Sequence, residues 1–346
     1  MTDPRPAFPT DPRGHILAIV LMAGYALRSL NRMRRVIPGG LNGAHVLLDI
    51  LLADREQRVG ASLASTLAQV AVDANAGSRS ILAISAGVGV PRESVRRILL
   101  ALTAGGWLAS LPQGGHATTE RTRRGFALDD DAAALGEFIW IGQQVRSTLT
   151  AEGDELERML ARHPWHVALA TERESVPHPP YAEAKGPLTA RLRDATPADR
   201  ECFANIVDGY LHRHMNRLRA NFDGDLLLPV LIGEIAHRNI AMLAHHADAT
   251  QEVQRIGATF ADRDQWDRLT FAPINAHSLS QTMDIPDATV RRKIAYLLQR
   301  GWIAMAADGM LAVTPEVRLH STPMNEASLA DMMKTYGSLC ALGIAA

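Results

Sequence analysis

The strongest constraint on this chain is that it repeats itself. Gly24-Tyr25-Ala26-Leu27-Arg28-Ser29-Leu30-Asn31-Arg32-Met33-Arg34 returns as Gly209-Tyr210-Leu211-His212-Arg213-His214-Met215-Asn216-Arg217-Leu218-Arg219, an offset of 185. Further on, Val90-Pro91-Arg92-Glu93-Ser94-Val95-Arg96-Arg97 returns as Ile285-Pro286-Asp287-Ala288-Thr289-Val290-Arg291-Arg292. Gly106-Trp107-Leu108 returns as Gly301-Trp302-Ile303, both at an offset of 195. Two collinear blocks in one order with nearly equal offsets indicate a tandem duplication. The period far exceeds the roughly 20–50 residues of solenoid repeats, so each copy is a domain-sized unit.

Length and composition agree with two such units. The chain has 346 residues, 47% hydrophobic and 21% charged. These are ordinary values for a globular protein, and they exclude collagenous, low-complexity or wholly disordered classes. Cys202 and Cys340 are too few for a disulfide framework or a four-thiolate metal site, and they fit a reducing compartment. The apolar run Ile16 to Tyr25 is about half the ~20 residues of a spanning helix. It leads into Arg28, Arg32, Arg34 and Arg35 rather than a cleavage site. With Asp11-Pro12 ahead as a helix start, it reads as a buried helix of a cytoplasmic protein.

The first copy opens with a helix from about Pro12 to Arg35. Further helices are expected from Leu41 to Asp54 and from Ala61 to Ala74 by apolar spacing. Ser80 to Gly87 reads as a short helix and Val88-Gly89-Val90-Pro91 as a turn. Arg92 to Ala104 is a longer helix with Val95, Ile98, Leu99 and Leu102 inward. Trp107–Leu111 and Ala117–Thr122 read as two strands around Gln113-Gly114-Gly115-His116. The second copy repeats this plan. Long helices are expected from Pro197 to Asn221 and from Leu226 to His246, and another from Ala249 to Phe260. A short helix follows from Leu279 to Met283. A longer one runs from Asp287 to Gln299, with Val290, Ile294, Leu297 and Leu298 inward. The strands Trp302–Ala306 and Leu311–Thr314 are joined through Asp308-Gly309, a strong hairpin signal. Closing helices are expected from Asp131 to Arg162 and from Ala327 to Leu342. The Pro-rich stretch from Val176 to Pro187 reads as a linker. The expected layout is therefore residues 1–170, a linker over 171–195, and residues 196–346. Short helix, turn, longer helix and hairpin is the winged helix-turn-helix plan, expected at about 78–126 and 274–319. The fold class expected is mostly α, with small β-hairpin wings on tandem duplicated winged helix-turn-helix units.

The pattern [VI]-P-x-x-[ST]-V-R-R followed by G-W-[LI] resembles the DNA-binding domains of the IclR and MarR families of bacterial transcription regulators. The resemblance covers about 45 residues in each copy. It implies that the longer helix enters the major groove of double-stranded DNA and that the hairpin touches the backbone or minor groove. The layout of leading, winged and closing helices further resembles a MarR-type protomer, a family of dimers. The tandem copies depart from that pattern and imply a single-chain pseudo-dimer.

The overall charge is −1, which by itself argues against nucleic acid. Locally the balance differs. Arg79 to Arg124 holds seven arginines against two glutamates, net +5, whereas Ile274 to Leu319 holds five basic against four acidic residues, net +1. On the first longer helix, Arg92, Ser94, Arg96 and Arg97 are candidates for base and phosphate contact. In the first wing the candidates are His116, Thr118, Arg121, Arg123 and Arg124. The second copy offers Thr289, Arg291, Arg292 and Lys293, with no basic wing tip.

The first repeated block keeps polar residues at helical spacing: Tyr25, Arg28, Asn31 and Arg32, then Tyr210, Arg213, Asn216 and Arg217. Three readings stand: packing of the two long helices across a pseudo-two-fold axis, a pocket for an anionic small-molecule effector, or phosphate contact. His212, His214, His237, His245 and His246 invite a metal-responsive reading, but adjacent His245 and His246 point apart, and exposed helix histidines are the simpler account. No nucleophile elbow, P-loop or zinc-protease motif occurs, so no enzyme and no cofactor is expected. The sequence thus points to a transcription regulator, with a protein-interaction scaffold as the rival and a homo-oligomer as a further possibility.

Overall fold

The computed structural model describes residues 12–67, 79–111, 115–123, 131–151, 153–155, 194–241 and 274–343. In chain order its elements are α1 (Pro12–Val36), α2 (Gly40–Leu67), α3 (Ile81–Val88), α4 (Arg92–Ala104), β1 (Leu108–Ser110), β2 (His116–Thr118), α5 (Glu120–Arg123) and α6 (Asp131–Thr150). There follow α7 (Pro197–Asn221), α8 (Leu227–Ala241), α9 (Ala276–Met283), α10 (Asp287–Gln299), β3 (Ile303–Met305), β4 (Leu311–Val313) and α11 (Pro315–Ala341). The fold is mostly helical, with two small antiparallel two-stranded sheets, β1-β2 and β3-β4.

The chain divides into two compact units, and neither is a contiguous half. The α4 unit comprises Arg32–Gly136, Ala184–Leu226 and Ser338–Ala346. The α10 unit comprises Met1–Asn31, Glu137–Glu183 and Leu227–Gly337. In the α4 unit, α2 from the first half packs against α7 from the second and also supports α3, α4 and β2. In the α10 unit, α8 packs along β4, and α9 packs on α10.

The same local physics builds α3–α4 and α9–α10. Ser80 caps α3 by accepting from the Ala83 amide, and Asn275 caps α9 by accepting from Ser278. These oxygens satisfy amides that a first turn leaves unpaired. Each short helix ends on a left-handed residue, Gly89 at φ +64° and Asp284 at φ +50°. Glycine adopts this without a Cβ penalty, and aspartate tolerates it better than most residues. Ser85 donates to the Val90 carbonyl at 2.6 Å, and Ser280 to that of Ile285 at 2.7 Å. The next helix starts directly after Pro91 or Pro286, which lacks an amide that would otherwise be unpaired.

Val95, Ile98, Leu99 and Leu102 are buried on α4. On α10, Val290, Ile294 and Leu297 are buried and Leu298 is half-buried. Burying each such side chain contributes about 1.5–3 kcal/mol. Trp107 and Trp302 close the two cores. The hairpins share one register: Leu108 opposite Thr118, and Ile303 opposite Val313. Behind each hairpin one polar side chain pins its second strand. Asp54 of α2 accepts from the Thr118 hydroxyl. Asn239 of α8 donates to the Leu311 carbonyl at 3.2 Å and accepts from the Val313 amide at 3.3 Å.

Several boundaries differ from the sequence expectations. Leu41–Asp54 and the start of Ala61–Ala74 form one helix, α2, to Leu67; positions 68–74 lie outside the described residues. The charged stretch between them does not break the helix, because Arg55 is buried and paired with Asp208 while Glu56 faces solvent. The returning strand expected from Ala117 to Thr122 ends at Thr118, where Thr119 accepts from the Thr122 amide and turns the chain into α5. The helix expected from Ala327 begins at Pro315 and runs through Pro323. Beside that proline, the Ser321 hydroxyl donates to the Val317 carbonyl and the Thr322 hydroxyl to that of Arg318, each at 2.8 Å. The expected helix at 249–260, the linker at 171–195 apart from Asp194 and Ala195, the tail of the first closing helix at 156–162, and His245 with His246 all lie outside the described residues.

One described stretch, Gly14–Val36 of α1, is long and apolar enough by composition to cross a membrane, but 72% of it is buried against the protein itself.

Candidate nucleic-acid interface

On α4 the apolar residues bury one face and leave a polar one outside. Arg92, Glu93, Arg96 and Arg97 are exposed there, and Ser94 is half-buried. They occupy the first two turns, directly after the tight turn at Gly89. This is the part of a recognition helix that reaches base edges when such a helix lies in a major groove. Arg96 approaches Glu93 at 4.0 Å, and both are largely exposed, so the pair is weak. Arg97 donates to Ser94 Oγ at 3.4 Å. Arg92 makes no hydrogen bond or ion pair among the described residues, which leaves its guanidinium available to a phosphate or a guanine edge.

The same face of α10 is arranged differently. Arg291 is held by Asp287 one turn before it, with Nε donating to Oδ2 at 2.5 Å. Arg292 is exposed, while Thr289 and Lys293 are half-buried. The two helices therefore share a backbone geometry but differ in how much positive charge they present.

The wing candidates scatter. Thr118 is buried and points at Asp54, away from solvent. Arg121 lies in α5 rather than in a strand. Its guanidinium stacks over the Trp107 ring at 4.2 Å and donates to the Gly105 carbonyl at 2.9 Å. His116 is half-buried with Nδ1 3.3 Å from Thr103 Oγ1, and burial lowers its pKa from the ordinary histidine value. The side chain of Arg123 and all of Arg124 lie outside the described residues.

The repeated long-helix residues divide between core and surface. Tyr25 is buried with its ring edge-on to Phe138, centroids 5.3 Å apart. Arg28 donates from Nε to Glu137 at 2.7 Å, both side chains 2% exposed. Asn31 is buried and Arg32 half-buried. In α7, Tyr210 is buried and stacked on His214 at 5.9 Å, Arg213 is exposed, and Asn216 and Arg217 are half-buried. Among the described residues, no group of three or more His, Cys, Asp or Glu is placed to hold a metal ion.

Sequence reasoning singled out the shared Arg and Tyr positions and missed the buried polar row between α2 and α7. Arg55 donates to Asp208 at 2.7 Å. Burial pushes the Asp208 carboxyl up, and Arg55 pulls it back. Asp49 accepts from Arg79 at 2.5 Å and lies 3.5 Å from His212 Nε2. His45 is fully buried, its ring centroid 5.1 Å from that of His212. Arg219 donates to Asn42 and to the Gly224 carbonyl. Burial lowers the Arg219 pKa from its ordinary value, which nearby Asp225 partly offsets. The available signal was a polar residue at a helix position whose neighbours are apolar, as in His45 between Ala44 and Val46.

No family model matches the chain, and no curated protein or solved structure is similar to it.

Proposed function

We propose that the chain is a sequence-specific DNA-binding transcription regulator. It carries two winged helix-turn-helix units in one polypeptide and works as a single-chain pseudo-dimer. The observation that carries this reading is the α4 surface. Arg92, Arg96 and Arg97 are exposed on the first two turns of a helix whose opposite face is fully buried, and a tight turn and short hairpin flank it. The recurrence of this arrangement in α10 supports two reading heads. Because Arg92-Glu93-Ser94 and Asp287-Ala288-Thr289 differ, each head reads its own half-site, and the target is asymmetric rather than a perfect palindrome.

The test is selection of bound duplexes from a random pool, followed by affinity measurement across a salt series. An asymmetric preferred site is expected, with affinity falling steeply as salt rises. A perfect palindrome bound by a dimer of chains would overturn the pseudo-dimer. A second reading, a protein-interaction scaffold, is favoured by Leu82 and Leu100, which stand 55% and 65% exposed on α3 and α4. No salt-dependent duplex affinity, together with stable capture of a protein partner, would decide for it.

A further inference from the structure

The buried row between α2 and α7 lies directly behind α3, and it gives the proposed DNA-binding unit a means of control. Asp49 is its node. One carboxylate oxygen, Oδ1, holds Arg79, the residue before the cap of α3, and faces His212 of α7. The same oxygen lies 3.0 Å from where a Cβ on Gly87 would stand, so α3 rests against it with no room for a side chain. Arg219 of α7 closes on the turn itself, its Cδ 3.0 Å from the Cβ position of Gly89. The helix-turn-helix is thus fastened at both ends of α3 to one polar contact between α2 and α7.

That contact contains two histidine rings in touch, with little room for added charge. His45 faces His212, Asn216 and Arg219 on α7, and Asp49 stands one turn further along its own helix. Arg79 reaches the same carboxylate from the segment before α3, Asp225 lies beside Arg219, and the Arg55–Asp208 pair occupies the next turn. Asn216 is the neighbour that favours a proton on the His45 ring, and burial, His212 and Arg219 all oppose it. The fold does not require histidine here. At an offset of 185 the corresponding residues are Leu27 and Val230, both buried. In the α10 unit Leu27 packs within 3.4 Å of the Cβ position of Gly233, an apolar crossing.

We propose that the α2–α7 contact is a proton-gated latch on α3: a proton added to His45 forces the contact open, Asp49 releases Arg79, and the helix-turn-helix loosens. A cation on His45 would stand buried between Arg219 and a second imidazole. Burial, with His212 and Arg219, holds His45 down to about 3 in the closed state. In the opened state the ring regains its ordinary value near 6.5, so opening takes up a proton. The open population then rises about tenfold for each pH unit below that value. The consequence for DNA rests on the function proposed above; the latch itself does not.

The experiment is hydrogen exchange by mass spectrometry on the full chain at pH 7.5, 6.5 and 5.5, corrected for intrinsic exchange rates. Segments in α3 and α7 should open about fivefold more at pH 5.5 than at 6.5. The double variant His45→Val, His212→Leu, which copies the apolar crossing, should abolish that rise. Segments around His237, a buried histidine of the α10 unit, should respond to pH equally in both proteins. A flat response in the wild type, or an equal rise in the variant, overturns the latch. If the double variant does not fold, His45→Gln and the wild-type ring signals decide. His45 should keep a constant ring chemical shift down to pH 5 in the closed chain, and titration near 6.5 overturns the proposal. A chain with no duplex affinity at any salt would sink the DNA reading and leave the exchange result standing. Duplex affinity that falls between pH 7.5 and 5.5 in the wild type, and less in the variant, would join the two.

Discussion

Asp49 on α2 grips Arg79, the residue just before the cap of α3, through a 2.5 Å ion pair whose carboxylate is 3% exposed. This pair couples the long-helix layer of the α4 unit to its helix-turn-helix. Replacing Asp49 by Ala leaves a half-exposed arginine without its partner and opens space at Gly87. We expect a loss of about 2–3 kcal/mol, below the full cost of breaking a wholly buried pair because Arg79 reaches solvent. Urea denaturation at pH 7.5 should show a lower midpoint, and exchange should localise the loss to α3.

Stability should fall on acidification. His45 is held at about 3, mainly by burial, and burial also lowers His237. Both sit below the ordinary value near 6.5, so the unfolded chain takes up these protons first. The His45 contribution is complete above pH 6.5 and is lost as pH falls from there toward 3, with a slope of up to about 1.4 kcal/mol per pH unit in that window; His237 acts in the same direction. Urea midpoints from pH 7.5 to 5 should decline, and His45→Val should remove part of the decline. A flat profile in the wild type would contradict this account.

If the proposed DNA reading holds, the exposed faces of α4 and α10 should bind duplex unequally. Arg291 is already neutralised by Asp287 at 2.5 Å, whereas Arg96 stands 4.0 Å from Glu93. Arg96→Ala should weaken duplex binding several-fold and lower the salt slope by about 0.9, the loss of one phosphate contact. Arg291→Ala should change both less, and Asp287→Asn should raise affinity. Equal losses for the two arginine variants, in a titration at fixed salt, would contradict the asymmetry.

Half-chains should not fold alone. The α4 unit needs α7 from the second half, which supplies the Asp208 partner of Arg55 and the Arg219 partner of Asn42. A fragment of residues 1–170 exposes that face of α2. It should be poorly cooperative in thermal unfolding monitored by circular dichroism. Co-expression with residues 171–346 should restore a sharp transition. A cooperatively folded 1–170 fragment would show that α7 is dispensable.

Much of the local structure was legible in the sequence, because it rests on short-range rules. Val95, Ile98, Leu99 and Leu102 mark one helix face by spacing alone. Gly89 with Pro91, and Asp308 with Gly309, mark turns through backbone preference. Apolar spacing marked Asp287–Gln299, and the Asp308-Gly309 turn marked the strands around it, where α10, β3 and β4 lie. The wing was less legible. Thr118 and Arg121 read as free for DNA because both are polar, but Thr118 is buried on Asp54, and Arg121, though exposed, is laid over Trp107 and held by the Gly105 carbonyl. A side chain's hydrogen-bond partner, unlike its polarity, is not a local property.

The internal repeat, the order of short helix, turn, longer helix and hairpin, and the surplus of arginine around the first copy were legible in the residues alone. Periodicity, turn chemistry and charge are all written in neighbouring residues. Packing brought together what no local pattern shows: the compact units are assembled from both halves, Asp287 holds Arg291 while Arg92 has no partner among the described residues, and His45 and His212 meet behind α3. Each of these depends on which side chains are brought together across long sequence separations. His45 and His212 lie 167 residues apart in the chain, and only the packing of α2 on α7 puts their rings in contact.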